Sequence, residues 1–350
     1  MHEPQLSIGL VGLGAMGRGM GLCLLRAGHR LTVVPHRRRA VADELIAAGA
    51  LEVSTPKELA GCAAVVLCLP AQAVTEEVIF GDDGIACGAS RGTLVLECST
   101  LSPAYGRDCA RRLVEAGWRF ADAPVTRGPA DAAIGKLDGL LGAHAGDITL
   151  ARRVLSAFCE RIHELGPPGA GYAAKLVNAF LVFCNVASVS EALTTAAAAG
   201  VDLDAMLAIV DRSAAHSLVA QRIAMSRGHQ PEAGERPRLS IAHPAKDVRY
   251  YRDLALAHGT LGPLGAEVAQ RLTACEALAA LSRREHRDEP LSTGERAALQ
   301  LLDAVGAAGA ARQEPLVQDA AGTLNELLAG LRLYHTAAAW SKAHIPATSA

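Results

Sequence analysis

Residues 170–183 read AGYAAKLVNAFLVF, an apolar run that contains one amine, Lys175, and one amide, Asn178. An ammonium is costly to bury unless it has a partner or a function. Apolar surroundings disfavour its charged form, which draws the pKa down toward a range useful for proton transfer. Asn178 stands three residues on, so in a helix the two side chains share a face. The plainer alternative is a lysine at a helix edge whose stem lies on apolar surface and whose ammonium reaches water.

A second group of chemically suggestive residues lies near the N-terminus. GLGAMG (12–17) fits the pattern G-x-G-x-x-G, with Leu13, Ala15 and Met16 between the glycines. It follows an apolar strand-like run and precedes a helix-like one. In that setting Gly12 permits a tight turn, Gly14 lets a pyrophosphate approach the backbone, and Gly17 lets helix and strand pack closely. The helix N-terminus then holds the phosphate. An NAD site places an acid about 20 residues on, at the end of the second strand. Here that place reads VVPHRRRA and has no acid. Arg37 and Arg38 are suited to a 2′-phosphate, which favours NADP over NAD while leaving NAD possible. The alternative for these arginines is a solvated helix start. His36 is placed to stack on adenine.

These residues need a scaffold. SIGLVG (7–12), LTVV (31–34), AAVVLCLP (63–70), TLVLECS (93–99) and WRFADAPV (118–125) read as strands, and GKLDGLLGA (135–143) is compatible with another. Helical stretches at 16–27, 40–48 and 103–116 alternate with them. Such alternation predicts an α/β domain with a parallel sheet covered on both faces. After the turn signal PPGAG (167–171) the pattern is helical, at 172–199, 202–213, 215–227, 244–258 and 263–282. The expected organisation is a Rossmann-type dinucleotide-binding domain at 1–167 and an all-α domain at 168–285. A helical C-terminal extension is expected at 286–350.

The bulk composition sets outer bounds. Of 350 residues, 50% are hydrophobic, 20% charged and 3% aromatic, and the formal net charge is −2. That balance gives no electrostatic reason to expect nucleic acid. No uninterrupted apolar run has the length of a membrane span, and MHEPQ lacks the basic start of a signal peptide. Nine cysteines occur singly with no CxxC pair, which predicts reduced core thiols, a cytoplasmic protein and no metal site.

Four ordered blocks carry a resemblance. IGLVGLGAMGRGM (8–20), DAPVTRGPADAAIG (122–135), GAGYAAKLVNAF (169–180) and AHPAKDVR (242–249) are similar to the β-hydroxyacid dehydrogenase family. CLP (68–70) and ECSTLSP (97–103) resemble family segments that line the cofactor. The resemblance implies that Lys175 is the general acid/base, with Asn178 orienting it or bonding the substrate hydroxyl. The family's second Asn is here Ala179. It implies a substrate loop at Thr126, Arg127 and Gly128, where the family usually has Ser-Gly-Gly. Arg127 resembles the loop arginine of sulfolactaldehyde reductases, which meets a sulfonate. Two placements stay open for it: an anionic head group, or solvent or a neighbouring subunit. Leu69, Pro70, Ser99 and Thr100 would border the nicotinamide ribose. Lys246 would sit near the cofactor, or else pair with Asp247 on a helix surface.

The function so implied is NADP-dependent interconversion of a small anionic β-hydroxy acid and its aldehyde or keto form. An imine reductase-like enzyme and a non-catalytic NADP-binding scaffold are the alternatives. The long apolar helix from 172 predicts a homodimer or homotetramer.

Overall fold

The structure, a computed structural model, describes residues 4–36, 39–89, 92–226, 242–260 and 262–281. The chain divides into two compact units, Met1–Val177 and Asn178–Ala350. The anticipated extension at 286–350 lies outside the described residues.

The first unit is built on a nine-stranded sheet. Its elements are β1 (Ser7–Val11), α1 (Ala15–Arg26), β2 (Arg30–Val34), α2 (Arg39–Ala47), β3 (Leu51–Glu52), β4 (Ala64–Leu67), α3 (Gln72–Phe80), β5 (Leu94–Glu97), α4 (Pro103–Glu115), β6 (Arg119–Asp122), β7 (Val125–Thr126), α5 (Pro129–Ala133), β8 (Leu137–Ala143), α6 (Ala145–Leu155) and β9 (Cys159–Gly166). The strand order is β3-β2-β1-β4-β5-β6-β8-β7, with β9 on β8. Strands β3 to β6 pair in parallel. Their residues alternate between two cores. Ile8, Leu10, Val66, Leu94 and Leu96 face one layer, and Val11, Val65, Leu67 and Val95 face the other. A strand buried on both faces needs apolar residues throughout, hence runs such as AVVL.

The sheet departs from the expected all-parallel form at its far edge. β8 runs antiparallel to β6 and β7. Between β7 and β8 the chain has room only for the five-residue α5, and a parallel crossover takes a dozen residues or more. β3, α3, α6 and β9 are also absent from the sequence reading. The β9 segment CERIHELG is exposed along most of its length. It is a charged edge strand with no apolar alternation to reveal it.

α7 (Ala170–Ala198) crosses the division. Its first turn belongs to the sheet domain because Tyr172 is fully buried in the second of the two cores. In the second unit the rest of α7 is joined by α8 (Leu203–Asp211), α9 (Leu218–Ser226), α10 (Ala242–Ala257) and α11 (Pro263–Leu281). Val186, Val219, Ile223, Val248, Val268 and Leu272 form its core, and Phe180 stacks on Tyr251 with ring centroids 4.0 Å apart.

By length and composition α7 is long and apolar enough to cross a membrane, with a mean hydropathy of 1.6 over 18 residues, 28% of them buried, a test that core helices also pass. Lys175, Asn178 and Asn185 interrupt its apolar run, so no uninterrupted stretch of span length occurs in it.

Candidate functional site

The glycine turn lies at the carboxyl end of β1. Gly12 has φ +101, and a Cβ there would stand 2.2 Å from the Cys68 carbonyl oxygen. A Cβ on Gly17 would stand 2.0 Å from the Gly12 carbonyl oxygen, so helix and turn touch backbone to backbone. Gly14 differs: a Cβ there would meet nothing within 4 Å. Gly14 is also the N-cap of α1, which has no capping side chain and no acid in its first turn. The positive end of the helix thus has room beside Gly14 and no acidic side chain of its own first turn to neutralise it. Neighbouring Leu13 is buried, Met16 half-buried and Ala15 exposed. The arrangement fits a pyrophosphate.

β4 and β5 are parallel to β1, so the segments after them emerge on the same edge. Leu69 is half-buried and Pro70 exposed; Ser99 is buried and Thr100 half-buried. The Leu69 N–H donates to Ser99 Oγ at 2.7 Å. At the end of β2, His36 is exposed. Arg37 and Arg38 lie outside the described residues. Arg39 is occupied by Asp43 and Glu52, each at 2.7 Å.

The last residues of β5 and β6 are Glu97 and Asp122, paired in register and both fully buried. Asp122 accepts from the N–H of Gly169 at 2.6 Å and of Tyr172 at 2.8 Å, and so caps α7 from a distant strand. Glu97 accepts from the Ser99 N–H and hydroxyl and, at 2.6 Å, from the Tyr172 hydroxyl. Burial pushes both acids up to about 7, against the opposing effect of these donors. Sequence reasoning passed over Glu97, Asp122 and Tyr172. The available signal was an acid closing each of two apolar strands.

A pH dependence follows. A carboxyl that binds its proton more tightly folded than unfolded contributes stability at low pH. That contribution is lost as pH rises from about 4 through about 7. The expected loss is on the order of 2–4 kcal/mol for Glu97. Calorimetry should therefore show a lower Tm at pH 8 than at pH 5, with a flatter slope in Glu97→Gln. A Tm that rises over that interval contradicts the assignment.

Lys175 is half-buried, one turn beyond Tyr172 on α7. It is less enclosed than the apolar run suggested, because α7 leaves Val177 and Leu181 exposed on one side. Asn178, three residues on, is exposed.

In the 126–128 loop, Thr126 is half-buried on β7 with Oγ1 3.4 Å from Asp138 Oδ2. The Gly128 N–H donates to Asp131 at 3.1 Å. Arg127 adopts φ +71, a conformation glycine takes more readily. Its guanidinium lies 3.1 Å from Asp138 and 3.1 Å from Glu160. The residue itself is exposed to solvent on this loop. The arginine is paired within its own domain, because β8 and β9 present two carboxylates beside the loop.

In the second unit Lys246 is largely buried on α10. Its Nζ lies 3.1 Å from Asp247 Oδ1 and 5.4 Å from the Tyr250 ring centroid. Among the described residues no cluster of His, Cys, Asp and Glu has the form of a metal site.

The fold and this edge define a class: a Rossmann-type NAD(P)-binding domain followed by a helical domain. The description "NAD binding domain of 6-phosphogluconate dehydrogenase" matches residues 7–166. That of the NAD-binding region of NADP-dependent 3-hydroxyisobutyrate dehydrogenase matches 169–288. The chain is 37% identical over 216 residues to an L-threonate dehydrogenase of Cupriavidus necator, covering 60% of this chain and 71% of the relative. It is 36% identical to an NAD-dependent L-serine dehydrogenase of Pseudomonas aeruginosa, covering 59% and 69%. A solved 3-hydroxyisobutyrate dehydrogenase from Salmonella typhimurium superposes with a TM-score of 0.68 at 27% identity, covering 78% of this chain and 95% of that one. The chain belongs to the β-hydroxyacid dehydrogenase family of NAD(P)-dependent oxidoreductases.

Proposed function

We propose that the protein interconverts a small β-hydroxy acid and its aldehyde or keto form, with NADP preferred and NAD possible. One observation carries this reading. The open helix start at Gly14 and the first turn of the helix bearing Lys175 are fixed to the same carboxyl edge of one sheet.

When bound, the nicotinamide gives or takes the hydride. The α1 N-terminus receives the pyrophosphate, and Arg37 and Arg38 pair with a 2′-phosphate. Lys175 gives a proton to the carbonyl oxygen in reduction and takes it back in oxidation. Asn178 orients the amine or the substrate hydroxyl. Leu69, Pro70, Ser99 and Thr100 shape the nicotinamide end, and Lys246 serves the cofactor. The Ser99 hydroxyl does so indirectly, since Leu69 and Glu97 already engage it. Thr126 and the 126–128 loop receive the acid group. Arg127, beside Asp138 and Glu160, adds a cation next to that group. The exposed Val177 and Leu181 on α7 suit cover by a second copy. The nine cysteines, of which the eight among the described residues are all free thiols, suit the reducing cytoplasm.

The test is cofactor oxidation with methylmalonate semialdehyde and tartronate semialdehyde, beside a cyclic imine. NADPH should be consumed with an aldehyde acid at a kcat/KM about tenfold above NADH, a difference of about 1.4 kcal/mol, and the imine should be inert. Equal use of both cofactors removes the NADP preference. Turnover of the imine alone removes the reaction.

A further inference from the structure

Two carboxylates facing each other in register on neighbouring strands are an unfavourable pairing. Buried, each must also find donors to offset its lost hydration. Glu97 and Asp122 are such a pair. Between them they converge on one residue. Asp122 holds the Tyr172 N–H at 2.8 Å, and Glu97 holds the Tyr172 hydroxyl at 2.6 Å. Tyr172 is therefore gripped at its backbone and at the far end of its side chain.

Packing does not account for the hydroxyl. The ring is fully buried and lies so close to Gly106 that a Cβ there would come within 2.5 Å of it. A phenylalanine would fill almost the same volume without a polar atom to satisfy. What the hydroxyl adds is a connection. Ser99 Oγ accepts from the Leu69 N–H, and its one proton goes to Glu97. A line of hydrogen bonds thus runs from Leu69 through Ser99 and Glu97 to Tyr172. Lys175 follows three residues later on the same helix, on the neighbouring part of its face.

We propose that Tyr172 and Glu97 are positioning residues for the Lys175 amine. Through their mutual bond they set the first turn of α7 against the sheet edge that carries Leu69 and Ser99. The inference rests on the reading of Lys175 as the proton carrier.

The test follows the amine itself and needs no substrate. The whole protein is labelled with limiting acetic anhydride across pH 6 to 10, as a rough span around the lysine range. Acetylation of Lys175 is read by mass spectrometry against exposed Lys136 in the same sample. In Tyr172→Phe, the relative labelling of Lys175 at pH 8 should fall about threefold or more, the effect of half a pKa unit as the amine reaches water. Glu97→Asp, whose shorter side chain withdraws from Tyr172, should give the same change. Labelling of Lys175 that follows the native protein in folded Tyr172→Phe overturns the proposal. So does a parallel change at Lys175 and Lys136, which marks a general effect. If Tyr172→Phe does not fold, Glu97→Asp decides by the same criteria. Lys175→Ala assayed with the aldehyde acids is a separate readout: retained turnover there sinks the proton-carrier reading and leaves the labelling result standing.

Discussion

The Lys175→Ala protein is expected to bind NADPH as the native protein does and to lose about 10²- to 10⁴-fold in kcat, the usual worth of a positioned proton carrier. The fold should survive, because Lys175 is only half-buried and alanine is the best helix former. The grip on α7 lies one turn earlier, at Gly169 and Tyr172, and is untouched. Two measurements define the outcome: a fluorescence titration with NADPH, and steady-state turnover with the two semialdehydes. The limb of the pH–rate profile that belongs to the amine should vanish with the side chain. Turnover within about tenfold of native, below the range expected for such a group, would remove Lys175 from the reaction.

The glycine turn offers a second large effect, in which stability and binding move independently. Gly14→Asp places a favoured N-cap residue at a position with extended backbone and open surroundings. Stability should hold or rise by a few tenths of a kcal/mol. Dinucleotide affinity should nonetheless collapse, by about 100-fold or more, because a carboxylate then stands where two phosphates must approach. Gly17→Ala should do the opposite. Its methyl would stand 2.0 Å from the Gly12 carbonyl oxygen, so the helix start must shift, at a cost of about 1–3 kcal/mol in stability. Thermal melts with and without NADPH distinguish the two. Gly14→Asp with full affinity would place the dinucleotide elsewhere.

How much of the site was legible depended on whether its signal was local. The turn at 12–17 was readable because its glycines, strand and helix are contiguous, and each glycine answers a constraint set within a few residues. The same holds for the wholly buried strands, whose apolar runs record two covered faces. Arg127 shows the limit. Its type suggested an anion, and its partners turned out to be Asp138 and Glu160, on strands that reach the loop only in the folded sheet. The β9 strand escaped because an exposed edge leaves no apolar period.

By itself, then, the chain's linear order determined the α/β-then-helical plan, the dinucleotide turn and the identity of the one amine in an apolar helix. These rest on periodicity and on spacing within single elements. Only the tertiary structure decided what Glu97, Asp122 and Tyr172 do. Glu97 and Asp122 stand 75 and 50 residues from Tyr172 in sequence, and the hydrogen bonds that join them exist only once β5 and β6 lie side by side beneath the start of α7. Contacts of that range are set by which strands become neighbours, a property of the whole sheet that no local pattern encodes.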